Sequence, residues 1–114
     1  MTFDLPYPPS VNHYWAASGK RRYISHAGRK FRRDAFCLIK SQRPVMTARA
    51  VCLTILVWPP DHRRRDLDNI LKPVLDVLQY AGVIKDDSQV AELIVRRNVV
   101  KRQGATRVTV DELA

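Results

Sequence analysis

The sequence predicts an α+β domain in which one mixed β-sheet is covered by two helices. Apolar residues recur at helical spacing in two stretches, and runs rich in β-branched residues lie before, between and after them. The order is therefore strand, helix, strand, helix and two final strands, which is typical of a layered α+β domain. At 114 residues the chain is long enough for a single hydrophobic core.

The N-terminal part predicts a strand, a loop and a helix. Thr2 to Leu5 predicts a strand that stops at Pro6, and the polar, basic residues 10 to 22 predict a loop. Ser25 fits a helix N-cap, and Pro44 ends that helix. The apolar residues at helical spacing between them are Ala27, Phe31, Ala35 and Leu38.

The central part predicts a strand followed by a second helix. Val51 to Trp58 is rich in apolar and β-branched residues and predicts a strand buried on both faces. Helical spacing from Leu67 to Leu78 predicts the helix, in which Pro73 removes a backbone donor and causes either a local bend or an irregular first turn. Gly82 suits the helix C-terminus.

The last two runs predict a hairpin. Val90 to Val100 and Thr106 to Val110 both alternate, and Gln103-Gly104 between them is a turn signal. We therefore expect these two strands to pair with each other.

The charge pattern indicates a nucleic acid partner. The net charge is +9, and the Lys and Arg residues come in runs rather than evenly, as at Arg63 to Arg65. The sequence contains neither a signal peptide nor a run long enough to cross a membrane, so we expect a cytoplasmic protein without a membrane partner. Cys37 and Cys52 lack metal-ligand spacing and are predicted to be small core residues.

Carboxylates cluster among these bases. Asp66 and Asp68 directly follow the arginine run, and Asp86-Asp87 come about twenty residues later. Carboxylates repel phosphate unless a divalent cation lies between them, so the cluster predicts a metal-dependent site that acts on a polyanion. A helix of about 18 Å and an extended return of about 16 Å bring Asp87 back to the helix start. If residues 66 to 68 are extended, their two carboxylates project the same way and share an ion such as Mg²⁺.

Each of these residues also has a structural explanation. Asp66 or Asp68 is alternatively a helix N-cap, and Asp86-Asp87 a loop turn. Lys72, one helical turn after Asp68, either forms an i,i+4 salt bridge or stabilises charge on a phosphate under attack.

Several segments together match one known family. They are Leu5-Pro6-Tyr7-Pro8-Pro9-Ser10-Val11-Asn12, Tyr23-Ile24-Ser25 with Gly28 and Phe31-Arg32, Arg65-Asp66-Leu67-Asp68-Asn69 with Lys72, and Gly82-Val83-Ile84 with Asp86-Asp87-Ser88-Gln89-Val90. The two acidic segments together are the specific part. With these segments the chain resembles the RusA-type Holliday-junction resolvases over nearly its whole length.

The resemblance implies one RusA-like endonuclease domain over residues 1–114. It implies a homodimer that makes paired symmetric nicks in strands of like polarity of a four-way junction, in DNA recombination and repair. Its essential aspartates carry over to Asp66, Asp68 and Asp87, as metal ligands and catalytic residues, and its assisting lysine carries over to Lys72. The implied cofactor is Mg²⁺, for which Mn²⁺ substitutes. A two-fold dimer also suits a junction that is itself close to two-fold symmetric.

Basic residues are expected to hold the DNA backbone, with affinity that falls as salt rises. Arg63 to Arg65 alternatively balance the carboxylates, and the helix residues alternatively form a solvated face. Tyr14 and Trp15 either stack on bases or pack over the core edge. The predicted DNA contacts are Arg21, Arg22, Arg29, Lys30, Arg32, Arg33, Arg63, Arg64 and Arg65.

Three functions remain open on the sequence. The first is a Mg²⁺-dependent, structure-selective endonuclease that resolves Holliday junctions. The second is a less selective nuclease of branched nucleic acids, and the third is a non-catalytic junction-binding protein. Cleavage requires Asp68, whereas binding alone does not.

Overall fold

A computed structural model describes residues 1–114 and shows an α+β domain with a mixed sheet and three helices. The predicted fold class and the mixed sheet are therefore confirmed. The elements in chain order are β1 (Thr2–Leu5), α1 (Val11–Tyr14), β2 (Trp15–Ser18), β3 (Arg21–Ile24), α2 (His26–Ser41), β4 (Val51–Trp58), α3 (Leu71–Tyr80), β5 (Val90–Arg97) and β6 (Ala105–Glu112). Two 3₁₀ turns, Leu67–Ile70 and Asp87–Gln89, precede α3 and β5.

The main sheet has the order β1-β6-β4-β5. β4 and β5 are parallel, and the other neighbours are antiparallel. The predicted C-terminal hairpin is wrong, because β4 lies between β5 and β6. The chain does turn at Gln103-Gly104, where both φ angles are positive (70° and 71°), but the connection carries β6 to the other side of β4. The most apolar strand thus occupies the centre, where it pairs on both edges.

The core lies on one face of this sheet. Val51, Leu53, Ile55 and Val57 of β4 are buried in the same cluster as apolar residues of α2 and α3. The alternate residues of β4 are only partly buried, so the prediction of burial on both faces is wrong. We call the side that carries these alternate residues the open face.

The segment predicted as a loop, residues 10 to 22, is ordered into α1 and the β2–β3 hairpin. Gly19 turns this hairpin with a φ of +63°. The segment folds because Tyr14 is fully buried and makes an edge-on contact with Trp15.

Both long helices begin as their sequences indicate. The Ser25 side chain accepts a hydrogen bond from Gly28 N at 3.0 Å, which confirms the predicted cap of α2. The buried stripe of α2 contains Phe31 and Ala35 but ends on Ile39, because Leu38 points outward. The irregular start predicted for the next helix is the 3₁₀ turn before α3, and Gly82 follows α3 with a φ of +76°.

The thiols differ from their predicted environment. Cys37 is exposed on α2, so its assignment to the core is wrong, and Cys52 is half-buried on the open face; both are free. No helix in the structure combines the length and the apolar character needed to span a membrane.

Candidate functional site

The largest cleft lies between the loop that follows β4 and the chain that follows β5. It has a volume of about 1040 Å³, and its walls are mostly polar and charged. Asp66 and Asp68 line it together with Arg63, Arg64 and Arg65. The structure thus brings the acidic pair and the arginine run of the sequence into one cleft.

Asp61 holds this loop in place. Its carboxylate lies 2.7 Å from Nη2 of Arg65 and accepts a hydrogen bond from the backbone N–H of Arg63 at 3.0 Å. The Arg63 N–H and the Arg65 guanidinium keep the pKa of Asp61 below its ordinary value. Arg97 of β5 donates to the carbonyl of Arg65. The guanidinium of Arg65 is therefore committed to the loop, and it balances Asp61 rather than the acidic pair.

Asp66 and Asp68 are exposed, and their carboxylates make no ion pair or hydrogen bond with the protein. Asp66 occupies the N-cap position of the 3₁₀ turn without a side-chain cap bond, so the capping explanation is not supported. The backbone is extended at Asp66 (φ −88°, ψ 137°), but Asp68 already belongs to the turn. Residues 66 to 68 are therefore not extended throughout, and the condition under which the carboxylates of Asp66 and Asp68 project the same way is not met.

Asp87 returns to the start of α3 as the chain lengths predicted. Its carboxylate lies 3.8 Å from Nζ of Lys72 in the first turn of α3. The alternative i,i+4 pair between Lys72 and Asp68 is not formed. Asp87 and Lys72 lie outside the lining of the cleft, and no three His, Cys, Asp or Glu side chains converge closely enough to hold a metal ion.

Asp86 has a structural task. Its side chain accepts a hydrogen bond from Ser88 N at 2.9 Å and, with Gln89, forms a capping box over the 3₁₀ turn that carries Asp87. Asp86 therefore orders the turn that carries Asp87.

Gln89 is a residue that the functional interpretation of the sequence missed. Its Oε1 accepts from Lys85 N (2.7 Å) and Asp86 N (2.8 Å), while its Nε2 donates to the carbonyls of Thr47 and Arg49 (2.9 Å each). All the hydrogen-bonding capacity of the amide group is used. The spacing of Gln three residues after Asp86 was the available signal, since it is that of a capping box.

The donor set fits a hard divalent cation. Asp66 and Asp68 offer carboxylate oxygens that no structural bond occupies, and such oxygens are the ligands that Mg²⁺ prefers. The carboxylate of Asp87 has the same chemistry, but in this structure it lies outside the cleft beside Lys72 and does not converge with the other two.

A second basic surface lies on α2. The guanidinium of Arg32 stacks on the ring of Tyr80 at 4.1 Å, and Phe36 contacts the same ring edge-on. Lys30 and Arg33 both pair with Asp34, at 3.3 and 3.6 Å. The predicted contacts Arg29, Lys30, Arg32 and Arg33 border one shallow pocket of about 370 Å³.

The β2–β3 hairpin carries the remaining predicted contacts. Arg21 and Arg22 are exposed, and Arg22 stacks on Trp15 at 4.4 Å. Tyr14 packs into the core, and its hydroxyl donates to Asp76. Burial, and then this hydrogen bond, raise the pKa of Tyr14 above its ordinary value. For Tyr14 the core alternative is therefore the correct one.

Fold and site together define a class of protein: a small, basic α+β domain with unpaired carboxylates among arginines in its largest cleft. The family model for endodeoxyribonuclease RusA matches residues 6–111. The chain is 41% identical over 112 residues to a crossover junction endodeoxyribonuclease of Enterobacteria phage HK97, covering 97% of this chain and 93% of that protein. It is 37% identical over 110 residues to the enzyme of the same name from Enterobacteria phage 82, covering 96% and 92%. It is 36% identical over 113 residues to that of Escherichia coli K12, covering 98% and 94%.

The chain belongs to the endodeoxyribonuclease RusA family.

Proposed function

We propose that this protein is a Mg²⁺-dependent, structure-selective endodeoxyribonuclease that resolves Holliday junctions as a homodimer. It makes paired symmetric nicks in strands of like polarity during DNA recombination and repair. The observation that carries the proposal is the pair Asp66 and Asp68, two carboxylates without structural partners in an arginine-lined cleft. Relatives that are 41% and 36% identical to the chain are named crossover junction endodeoxyribonucleases.

The acidic and basic residues of the site have different roles in this reaction. Asp66, Asp68 and Asp87 would be the ligands of the cation, which when bound would supply a Lewis acid for a phosphoryl oxygen and would lower the pKa of an attacking water. Lys72 presents its ammonium beside Asp87, where it offsets negative charge on the phosphate under attack. Arg64 has no intramolecular partner and faces the cleft, so it contacts a backbone phosphate.

Junction selectivity belongs to the basic surfaces rather than to the acidic site. Arg21 and Arg22 on the hairpin, and the α2 surface around Tyr80, lie on different elements from the cleft. These separate surfaces bind several duplex arms of a junction at the same time, whereas a linear duplex cannot contact all of them. A homodimer doubles each surface and provides one site for each of the two cuts.

The test is cleavage of a labelled four-way junction beside linear duplex of the same sequence, in Mg²⁺ and in EDTA. Wild type is expected to cut only the junction, at two symmetric positions, and only with metal. Asp68→Asn is expected to bind the junction at least as tightly as wild type, because repulsion from phosphate falls, but not to cut it.

Asp111→Asn is the matched control. Asp111 is likewise an exposed aspartate without an ion pair or side-chain hydrogen bond, but it lies on β6, outside the cleft, and the variant should cut like wild type. If linear duplex is cut as readily as the junction, the protein is a less selective nuclease and the proposal of junction selectivity is wrong. If the junction is bound but not cut in either Mg²⁺ or Mn²⁺, the protein is a non-catalytic junction-binding protein.

A further inference from the structure

The outer edge of β5 is the longest unpaired strand edge of the main sheet. β5 has eight residues, contains no proline and pairs only with β4. The opposite edge strand, β1, has four residues and is followed by Pro6, and its Asp4 pairs with Arg107 at 2.8 Å. Edges are normally short or blocked because their free N–H and C=O groups recruit another strand. β5 is neither short nor interrupted by proline, and no strand of the chain pairs with its outer edge.

The middle of this edge is apolar on both faces of the sheet. Leu93 lies beside Leu53 on the core side and is 42% exposed, and Ile94 lies beside Thr54 on the open face and is 49% exposed. Adjacent apolar side chains on an uncovered edge indicate that another strand covers them.

The sequence of β5 is complementary to itself in one register. A two-fold axis perpendicular to the sheet requires that one residue face its own copy. An axis at Glu92 sets two carboxylates against each other, and an axis at Leu93 sets Glu92 against Ile94. An axis at Ile94 sets Glu92 against Arg96 of the second copy, and Leu93 against Val95. Only this last register pairs opposite charges and keeps apolar residues together.

We propose that two copies of the chain pair through β5, antiparallel, with the two-fold axis at Ile94. This inference rests on the proposed homodimer and names its interface. The pairing joins two four-stranded sheets into one of eight strands. It also links the two candidate sites, because Asp87 lies just before β5 and Arg97 at its end holds the loop of Asp66.

Charge reversal tests the register. Glu92→Arg and Arg96→Glu each create two like-charge pairs across the axis, so each is expected to raise the dimer dissociation constant about tenfold or more. The double variant restores opposite charges and is expected to recover dimerisation to near wild type, which would not happen if the single reversals acted by disrupting the fold. Sedimentation equilibrium measures the dissociation constants. Glu112→Arg, an exposed change on β6, is the control and should leave dimerisation unchanged.

A cysteine at the axis tests the geometry directly. In a background of Cys37→Ser and Cys52→Ser, Ile94→Cys is expected to form a covalent dimer on mild oxidation, because directly opposed residues of antiparallel strands lie within disulfide range. Val45→Cys, at a position that is 80% exposed before β4, is the control and should not crosslink.

The outcomes separate the two proposals. A dimer that tolerates both single reversals and shows no Ile94 crosslink overturns the β5 interface but leaves a homodimeric nuclease standing. A wild-type chain that stays monomeric even on a four-way junction overturns the interface and the homodimer together. Loss of dimerisation in the single variants, with recovery in the double variant, supports the inference.

Discussion

Unlike most other aspartates of the chain, Asp66 and Asp68 have carboxylates that make no ion pair or hydrogen bond within the protein. Asp4, Asp34 and Asp61 pair with arginine or lysine, Asp76 accepts from Tyr14, and Asp86 caps a turn. Asp111 also has no partner, but it is exposed on the sheet away from the cleft. These two unpaired carboxylates among arginines in the largest cleft are the observation on which the proposed cation site rests.

Gln89→Ala tests whether the position of Asp87 depends on the amide of Gln89. Four hydrogen bonds are lost, several of them to exposed backbone, so the free energy of unfolding is expected to fall by about 1–2 kcal/mol. The Mg²⁺ concentration for half-maximal cleavage should rise, because the turn that carries Asp87 is no longer anchored. Urea unfolding and a Mg²⁺ titration measure the two effects. Gln79→Ala, at an exposed position of α3, is the control; an unchanged Mg²⁺ requirement in Gln89→Ala would limit Gln89 to a role in folding.

Tyr14→Phe tests the buried hydrogen bond to Asp76. The variant is expected to lose about 2 kcal/mol at neutral pH, because the half-buried carboxylate loses its donor. The folded-state pKa of Tyr14 is raised above its ordinary value of 10.0, so the folded chain keeps a proton that the unfolded chain releases. The contribution of this hydrogen bond to the free energy of unfolding is therefore complete below pH 10.0 and is lost as the pH rises above 10.0.

The stability difference between wild type and Tyr14→Phe should therefore shrink at pH above 10.0. Urea unfolding at neutral and at alkaline pH measures it. Tyr23→Phe, which removes a hydroxyl at an exposed position, should match wild type at both. A constant difference at all pH values would argue against a bond that holds the proton on Tyr14.

The elements themselves were largely predictable from local sequence, whereas their pairing was not. Ser25, Gly82 and Gln103-Gly104 mark helix and turn boundaries through their own backbone chemistry, and the structure bears each out. The partner of β5 depends instead on long-range packing. The alternation of Val90–Arg97 fits a hairpin with β6 as well as it fits a parallel strand beside β4. The β2–β3 hairpin was missed because its fold depends on the burial of Tyr14.

Gly28→Ala tests the contact of α2 with the N-terminal segment. Alanine normally stabilises a helix by about 1 kcal/mol relative to glycine. Here an added Cβ would lie 2.5 Å from the carbonyl oxygen of Tyr14 and 2.8 Å from Cγ2 of Ile24, so we expect a loss of about 1–3 kcal/mol instead. Thermal unfolding shows whether the substitution lowers or raises the stability of the protein. A more stable variant would show that α2 can move away from Tyr14 without cost.

At the scale of the whole molecule, chain length predicted the position of Asp87, but the sequence did not show which basic side chains are paired within the protein. The return of Asp87 to the start of α3 followed from chain length alone. The roles of the arginines did not, because the sequence does not show that Asp61 occupies Arg65 or that Asp34 pairs with Lys30 and Arg33. The arginines left free for DNA are therefore fewer than the basic runs suggest.

Arg29 is the residue of α2 whose charge is most available to DNA. Its guanidinium makes only a long contact, 3.5 Å, to the carbonyl of Ile24, whereas Lys30, Arg32 and Arg33 each have a side-chain partner. Arg29→Ala is expected to weaken junction binding equally for junctions of different sequence, since phosphate contacts carry no sequence information. The slope of log K against log salt should fall in magnitude by about one, because one fewer counterion is released.

Fluorescence anisotropy over a salt series measures this slope. Arg49→Ala removes an equal charge from an arginine that pairs with Glu112 at 3.4 Å, so it serves as the control and should leave the slope unchanged. Equal slopes for wild type and Arg29→Ala would place the junction elsewhere than on α2. Equal losses in both variants would mean that the net charge of +9 attracts DNA without a defined surface, and junction selectivity would then have to arise at the cleft itself.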